Sequence, residues 1–342
     1  MLKTSFAIVT AVLVMAALSA SAQKSLTGAG ATFPAPIYQK WFSAYQSVDP
    51  GIQINYQPIG SGGGIKNVTE GVVDFGASDG PMTDAQIKAF RDKRGFNILH
   101  FPTVLGAAVP TYNIPGVTQQ LNFTPEALSG IFLGTVKKWN DPAIASANPG
   151  VKLPGDQIVV VHRSDGSGTT YCWTDYLSKV SAEWKSKAGT NTSVNWPAGI
   201  GGKGNDGVAG LIKQQKGALG YVELIYAVKN HLSYGKVKNR AGEFIKPDLQ
   251  SVTAAAEAAA STMPADFRVS ITDPSAKGAY PISTFTWLLI PERIPDAARE
   301  KALVGFLKWA ITKGQDSVES LEYAKLPAQV MAKEEKAIAL IK

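Results

Sequence analysis

The segment VHRSDGSGTTYCW, residues 161–173, contains side chains that could carry chemistry. Ser167 lies between two glycines, with Asp165 two positions before it and His162 five positions before it. Serine, histidine and aspartate are the components of a nucleophilic hydrolase, in which a base activates the hydroxyl. The segment could instead bind an anion without reacting, since glycine-rich turns present backbone N–H groups to a ligand. It is therefore compatible with an enzyme and with a binding protein.

The hydrolase interpretation lacks a well-placed base. The chain has three histidines, His100, His162 and His231. His162 adjoins Arg163 on a predicted strand, so its side chain should point to the opposite face, away from the loop. The G-x-S-x-G nucleophile elbow is also absent, because Asp165 and Thr169 stand where that pattern has glycine. A secreted serine-dependent phosphatase using Ser167 remains the alternative from another functional class.

Three further turns rich in glycine, serine and threonine could join this segment in one site. The candidate ligands are Thr32, Phe33 through its backbone N–H, Ser61, Asp79, Arg163, Ser167, Gly168 through its backbone N–H, and Thr169. Together they supply hydroxyls, backbone N–H groups, one guanidinium and one carboxylate. Helix N-termini predicted at residues 33, 62 and 168 would add positive dipole ends. This combination favours a small tetrahedral oxyanion.

The carboxylate of Asp79 indicates which oxyanion is preferred. If ionised, it can only accept hydrogen bonds, so it favours an anion that still carries a proton. Phosphate near neutral pH carries one, whereas sulfate does not. Considered alone, Asp79 could also be a turn or capping residue before GPMTDAQ. Arg163 is the expected positive group, and Asp165 could orient its guanidinium for bidentate contact with the anion.

Other motifs give weaker signals. Gly199, Gly201 and Gly204 match G-x-G-x-x-G, but they follow NWPA rather than a predicted strand, so a dinucleotide site is not supported. GSGGGIK lacks the G-K-[ST] of a nucleotide P-loop. Three dispersed histidines and one cysteine give no metal-ligand spacing. We expect no metal and no cofactor.

The elements that must position these residues follow a repeated pattern. Each of the four turns lies between a β-type apolar run and a helical period, which predicts an α/β fold with largely parallel sheets. Ligands collect at the carboxyl ends of such strands. Three turns lie in the first 80 residues and the fourth near residue 165, so a shared site suggests a cleft between two lobes.

Flanking segments complete the predicted organisation. Proline- and glycine-rich stretches at residues 113–118 and 272–281 are candidate crossovers between lobes. The alanine-rich residues 253–262 predict a surface helix. A first helix should bury the stripe Ile37, Trp41 and Tyr45. A C-terminal helix should pack on the first lobe through Leu303, Phe306, Leu307 and Ala310.

The N-terminus predicts export. Lys3 precedes an apolar stretch from Phe6 to Leu18, and Ala20-Ser21-Ala22 forms a small-x-small site, so residues 1–22 are predicted to be a signal peptide cleaved after Ala22. Its apolar run is too short to span a bilayer comfortably. Cys172 is the single cysteine and is expected to be buried. The net charge of +7 comes from scattered basic residues without interleaved aromatics, so we expect no nucleic-acid partner.

Six blocks, GAGATFPAPIY, GSGGGIK, DFGASDGPM, RSDGSGTT, GGKGNDG and GALGYVE, closely resemble the PstS family of periplasmic phosphate-binding proteins. The resemblance implies a non-enzymatic, monomeric receptor that delivers phosphate to the permease subunits of an ATP-binding-cassette importer. It implies the type II two-lobed fold with a two-segment hinge, residues 23–113 and 278–342 forming lobe I and residues 114–277 lobe II. It also assigns the eight candidate residues to phosphate and Asp165 to orienting Arg163. Another tetrahedral oxyanion remains the alternative ligand.

Overall fold

The computed structural model describes residues 24–342, so the predicted signal peptide and its cleavage site lie outside the described part of the chain. The strands are β1 (Lys24–Gly30), β2 (Ile52–Gln57), β3 (Phe75–Ser78), β4 (Ile98–Asn113), β5 (Asn122–Phe123), β6 (Val159–Arg163), β7 (Ile200–Gly202), β8 (Ala218–Glu223), β9 (Ser233–Tyr234), β10 (Lys236–Lys238), β11 (Phe244–Ile245) and β12 (Ser283–Pro291). The helices are α1 (Ala35–Val48), α2 (Ser61–Glu70), α3 (Asp84–Arg94), α4 (Pro125–Phe132), α5 (Pro142–Ala145), α6 (Gly168–Val180), α7 (Ala182–Lys187), α8 (Gly204–Gln214), α9 (Leu224–Lys229), α10 (Leu249–Ala260), α11 (Ala297–Ala310) and α12 (Ala328–Ile338). Two short 3-10 helices, Lys313–Ser317 and Glu319–Leu321, separate α11 from α12.

A large mixed sheet positions the four glycine-rich turns. Its strand order is β2-β1-β3-β12-β4-β8-β6-β7, with β9 also paired to β4. Strand β1 runs parallel to β2 and β3, and β6 runs parallel to β7 and β8. The two parallel groups are separated by antiparallel pairings along β4 and β12. The predicted strand–turn–helix units are therefore present, at both ends of one sheet.

Strand β4 joins these two groups because it changes partner along its length. It pairs with β12 up to Ala107 and with β8 from Ala108 onward. Near this point the Ala108 N–H donates to the Ile282 carbonyl, 2.9 Å away and just before β12. We call β2, β1, β3 and β12 the β1 half, and β8, β6 and β7 the β6 half. The change of partner precedes residues 113–118, and the residue bounds of the two lobes remain a prediction.

Two helices bury the faces that their periodicity predicts. In α1 the stripe Ile37, Trp41 and Tyr45 is buried. In α11 the buried side chains include the predicted Leu303, Phe306, Leu307 and Ala310. The Phe306 ring lies 5.4 Å from the Tyr45 ring, centroid to centroid, so α11 packs on α1. Both predictions are confirmed.

Helix α10 forms where a surface helix was predicted and has an exposed side, but it also has a buried face. Its residues Ala255, Ala256 and Ala260 are buried, and the helix packs against β4 and β12. Alanine side chains are small enough to let the helix approach the sheet closely, which a composition-based argument does not reveal. Between Lys24 and Lys342 the chain forms no helix that combines the length and hydropathy of a membrane span.

Candidate anion-binding site

The four turns meet where the two halves of the sheet face each other. Thr32 and Phe33 lie between β1 and α1, Ser61 is the first residue of α2, and Asp79 directly follows β3. Arg163 ends β6, and the turn after it leads into α6. All eight predicted contact residues are buried. The structure thus brings together residues that are far apart in the chain.

Ser61 connects three of these segments. Its Oγ accepts a hydrogen bond from the Gly168 backbone N–H (2.9 Å) and from the Asp79 backbone N–H (3.3 Å). Beside it, the Gly62 N–H donates to the Gly166 carbonyl at 2.9 Å. The start of α2 is therefore bonded directly to the loop between β6 and α6. The Gly168 N–H predicted to contact an anion already has a protein acceptor here.

The starts of the helices differ slightly from those predicted. Helix α1 begins at Ala35, two residues after Phe33, and α2 begins at Ser61 rather than residue 62. Helix α6 begins at Gly168 as expected, with Ser167 as its N-cap. A Cβ atom at position 168 would lie 2.6 Å from Asp79 Oδ2, so glycine permits this contact between the two halves.

The guanidinium of Arg163 is held in one orientation by Asp165. Its Nε donates to Asp165 Oδ1 at 2.8 Å and its Nη2 donates to Asp165 Oδ2 at 2.6 Å. The Gly204 N–H donates to the same carboxylate at 3.0 Å. Burial opposes ionisation of Asp165, but the hydrogen bonds and charge of Arg163 lower its pKa overall. The remaining edge of the guanidinium, at Nη1, lies 3.4 Å from Thr169 Oγ1.

Asp79 is the carboxylate of the site and is fully enclosed. Burial raises its pKa to about 7, against the opposing effects of a Thr286 hydrogen bond and the Arg163 charge. The Thr286 hydroxyl donates to Asp79 Oδ1 at 2.9 Å. The ionised form of Asp79, on which the preference for a proton-bearing anion depends, is therefore favoured only above about pH 7. Thr286, on β12, belongs to none of the glycine-rich turns, and sequence reasoning missed it.

The four site hydroxyls share one hydrogen-bonding pattern. Each oxygen accepts from at least one protein N–H group: Thr32 from Asn205, Ser61 from Gly168 and Asp79, Ser167 from Thr170, and Thr169 from Arg163 and Asn205. A hydroxyl has a single proton to donate. Because these oxygens already accept from nitrogen donors, their protons are directed elsewhere. The four hydroxyl groups can therefore donate hydrogen bonds to an acceptor that is enclosed in the site.

Side chains from outside the four turns also fix the turn that carries Thr32. Asn205, the second residue of α8, donates to Thr32 Oγ1 at 2.9 Å. Tyr226 donates to the Thr32 carbonyl at 2.5 Å, and Tyr323 donates to the Phe33 carbonyl at 2.6 Å. Sequence reasoning did not assign these three residues to the site. The one available signal for Asn205 was its position in the block GGKGNDG.

Ser167 is used as a helix cap. Its Oγ accepts from the Thr170 N–H at 3.0 Å. The His162 ring stacks on Trp196 with centroids 4.8 Å apart, and its Nδ1 lies 3.0 Å from the Arg163 carbonyl oxygen. Burial lowers the pKa of His162. These contacts give both side chains structural partners other than each other.

Other features of residues 24–342 add no second chemical centre. No group of three or more histidine, cysteine, aspartate or glutamate side chains in this range could hold a metal ion. Cys172 is buried, and burial raises the pKa of its thiol well above the usual value. A surface groove of about 650 Å³ lies between α11 and α12, where Trp309 and Met331 contribute to its lining, and it shares no residue with the site.

Comparison with known proteins agrees with this architecture. Residues 16–313 match the model of a PBP superfamily domain. The chain is 45% identical to the phosphate-binding protein PstS of Xylella fastidiosa over 307 residues, which are 90% of this chain and 82% of that protein. It is 41% identical to the phosphate-binding protein PstS of Haemophilus influenzae, with 94% of each chain covered.

A solved structure supports the same fold. The phosphate-binding protein from Stenotrophomonas maltophilia superposes with a TM-score of 0.70 at 20% identity, covering 90% of this chain and 92% of that one. The predicted two-lobed α/β fold is therefore confirmed. From the family model and the similarity to the PstS proteins along most of its length, the chain belongs to the PBP superfamily and, within it, to the PstS phosphate-binding protein family.

Proposed function

We propose that the protein is a non-enzymatic receptor that binds inorganic phosphate in the periplasm and delivers it to an ATP-binding-cassette importer. The hydrogen-bonding pattern of the four site hydroxyls carries this proposal. Their oxygens accept from protein N–H groups, so their protons are available to an anion. A buried arginine supplies the positive charge. The similarity of the chain to the phosphate-binding PstS proteins supports phosphate as the anion.

Each predicted residue has a defined role in this proposal. The contacts to phosphate come from Thr32, Phe33, Ser61, Asp79, Arg163, Ser167, Gly168 and Thr169, with Asp165 orienting Arg163. Hydrogen bonds to a charged group contribute roughly 1.5 to 3 kcal/mol each, so this number of contacts is ample for tight binding after desolvation. The Gly168 N–H would have to be shared between Ser61 and the anion, because it donates to Ser61 Oγ.

Asp79 is the proposed selectivity residue. Burial raises the pKa of Asp79 to about 7. The ionised carboxylate can accept a hydrogen bond from a ligand that carries a proton, whereas the protonated carboxyl group can donate a hydrogen bond to the ligand. Phosphate can match either state, because it can exchange a proton with the carboxyl group. Sulfate lacks a proton near neutral pH, so an ionised Asp79 repels it. This difference favours phosphate among tetrahedral oxyanions.

The remaining parts of the proposal concern place and partners. A predicted signal peptide at residues 1–22, cleaved after Ala22, would export the chain to the periplasm. We propose a monomer with lobe I at residues 23–113 and 278–342 and lobe II at residues 114–277. The partner switch of β4 between Ala107 and Ala108 supports a division of the chain in this part of β4. The permease subunits of the importer are the proposed protein partners.

Isothermal titration calorimetry of the mature protein with phosphate and sulfate tests this function. We expect tight phosphate binding at a single site and sulfate binding weaker by orders of magnitude, on the scale of about 10⁴-fold that buried polar groups can achieve. Equal affinity for the two anions would contradict the role of Asp79. No detectable phosphate binding would overturn the proposed function as a whole.

The enzymatic alternative has its own measurement. A serine-dependent phosphatase would hydrolyse an aryl phosphate, and turnover would disappear in Ser167→Ala. We expect no turnover in either protein, because Ser167 caps α6 and His162 stacks on Trp196. Turnover above background that depends on Ser167 would replace the receptor proposal with the hydrolase.

A further inference from the structure

Asn205 is a fully buried amide that contacts residues from both halves of the sheet. Its Nδ2 donates to Thr32 Oγ1 at 2.9 Å and lies 3.4 Å from Thr169 Oγ1. Its backbone N–H also donates to Thr32 Oγ1, at 3.3 Å. Thr32 follows β1, whereas Asn205 and Thr169 begin helices that follow strands of the β6 half. One side chain thus links two candidate anion ligands across the site.

The orientation of this amide is fixed by its other end. Asn205 Oδ1 accepts from the Glu223 backbone N–H at 3.0 Å, at the end of β8. An amide oxygen can only accept and an amide nitrogen can only donate. With Oδ1 committed to an N–H group, Nδ2 must face the two threonine hydroxyls. The threonine oxygens therefore act as acceptors toward Asn205, which leaves their protons for a third partner.

We propose that Asn205 is a positioning residue for phosphate, directing the Thr32 and Thr169 hydroxyl protons toward the anion and acting as a latch that slows its release. The inference rests on the proposed phosphate-receptor function. It assigns to Asn205 a role that acts through the threonines rather than through direct contact with the ligand.

The slow release is expected because the contacts between Asn205 and Thr32 join the two halves of the sheet. Opening of the cleft must separate Thr32 from Asn205, which belong to different halves. The same movement breaks the hydrogen bond from Tyr226 to the Thr32 carbonyl. Because Asn205 and Thr32 are buried, breaking their bond leaves polar groups to be resolvated during opening. Loss of Asn205 should therefore accelerate dissociation more than it slows association.

The first test is Asn205→Ala, with phosphate affinity measured by calorimetry and release measured by chasing radiolabelled phosphate with unlabelled phosphate. We expect affinity to fall about 10- to 100-fold, mostly through faster release. Asn148→Ala is the matched control, since Asn148 is also a buried asparagine, bonded instead to Asn122 and to the Ile144 carbonyl. The control should keep wild-type affinity and release even if its unfolding temperature falls.

A second variant tests the direction of the hydrogen bonds. In Asn205→Asp, an ionised carboxylate would accept from the threonine hydroxyls and turn their protons away from the anion. Because position 205 is fully buried, the pKa of the introduced carboxyl group should be raised. The loss of affinity relative to wild type should therefore exceed that of Asn205→Ala at about pH 8 and shrink toward about pH 5.5 as the carboxyl group protonates. Arg163, Asp79, Asp165, Asp206 and Glu223 are the neighbouring charged or titratable groups. They are also present in Asn205→Ala, which adds no charge, so this variant measured at each pH reports the effect of their own titration.

A double-mutant cycle with Thr32→Val completes the design. If Asn205 acts through Thr32, the combined loss of affinity in Asn205→Ala with Thr32→Val should be less than the product of the single losses. Unchanged affinity and release in Asn205→Ala, or multiplicative effects in the cycle, would overturn the inference while leaving phosphate binding by the wild type intact. An Asn205→Asp deficit that is independent of pH would overturn the directing role. Absence of binding by the wild type would instead remove the underlying function.

Discussion

The protonation state of Asp79 links the choice of anion to pH. Its carboxyl group is enclosed, with a pKa raised by burial to about 7. Above that pH the carboxylate is mostly ionised and can only accept, and below it the protonated group can donate to an anion that has no proton. Selectivity against sulfate should therefore be a property of the ionised form. It should weaken as the pH falls through 7.

The first prediction concerns Asp79→Asn. Its amide can donate to either anion at any pH, so sulfate affinity should rise at about pH 8 by roughly 100-fold or more, and its pH dependence should be lost. Wild-type sulfate affinity should increase between about pH 8 and about pH 6, following protonation of Asp79. Calorimetric titrations at several pH values measure both effects. Asp156→Asn is the control, because Asp156 is exposed; sulfate binding that stays equally weak in Asp79→Asn would contradict the argument.

At the scale of secondary-structure elements, the β6–α6 turn depends on the absence of a side chain at its helix start. A Cβ atom at position 168 would lie 2.5 Å from the Asp79 backbone nitrogen and 2.6 Å from Asp79 Oδ2. Both distances are well inside van der Waals contact. The turn can approach β3 closely because residue 168 is glycine, and this approach places the α6 N-terminus beside the carboxylate.

Gly168→Ala should therefore impair the site. Relieving the overlap must displace Asp79 or α6, at a cost of about 1 to 3 kcal/mol, so phosphate affinity should fall about 10- to 100-fold. Gly210→Ala is a matched control, because a Cβ atom at this position in α8 would have no neighbour within 4 Å. The control should bind phosphate normally, and its free energy of unfolding should exceed that of wild type by about 0.4 to 1 kcal/mol. Titration and chemical denaturation of both variants provide the measurement; wild-type affinity in Gly168→Ala would show that the close approach is dispensable.

Helix α12 carries a buried acid that the site does not use. Glu334 shares the buried face of this helix with Val330 and Ile338. Within residues 24–342, neither of its carboxyl oxygens has a hydrogen-bond partner. Burial raises its pKa well above the usual value. The folded protein therefore favours the protonated form, and stability present below about pH 4.5 should be lost as the pH rises toward the folded-state pKa.

Glu334→Gln should remove the loss of stability that accompanies ionisation of Glu334 at higher pH. Its free energy of unfolding should exceed that of wild type by about 1 to 3 kcal/mol at about pH 8, with the difference shrinking toward about pH 4.5. Urea denaturation across this pH range measures the slope. Glu335→Gln is the neighbouring control, because Glu335 is exposed on the same helix. If the free energies of unfolding of wild type and Glu334→Gln change in parallel with pH, the burial of this acid has no energetic consequence.

The elements that carry their own local signal were predictable from sequence. Apolar strands followed by glycine-rich turns marked the starts of α2 and α6, and periodicity marked the buried faces of α1 and α11. The partner change in β4 was not predictable, because the strand that pairs with each part of β4 is decided by tertiary packing, and the Gly106 that precedes the change does not break the strand. Thr286 and Asn205 were missed for a related reason. Their roles arise from tertiary contacts with Asp79 and Thr32, and neither residue belongs to the turns that were singled out.

At the scale of the whole molecule, the site is assembled from backbone groups of both halves. The Gly62 N–H donates to the Gly166 carbonyl, and the Gly168 N–H donates to Ser61 Oγ, both at 2.9 Å. The Asn205 N–H donates to Thr32 Oγ1 at 3.3 Å. In contrast, β12 is bonded within the sheet to β3 and β4. The amides that cross the site should respond to opening of the cleft, whereas those of β12 should respond to unfolding of the sheet.

Hydrogen exchange with and without phosphate can separate these two classes of amide. Phosphate should slow exchange in peptides that contain Gly62, Gly168 and Asn205 by about 10-fold or more, because a ligand that binds both halves disfavours every open state. Peptides from residues 283–291 should exchange at nearly the same rate in both conditions on the time scale of cleft opening. Sulfate at the same concentration is the ligand control and should give little protection at about pH 8, where Asp79 is mostly ionised. Equal protection across all peptides would mean that the halves move as one unit, and protection of only one side of the site would mean that the anion contacts a single half.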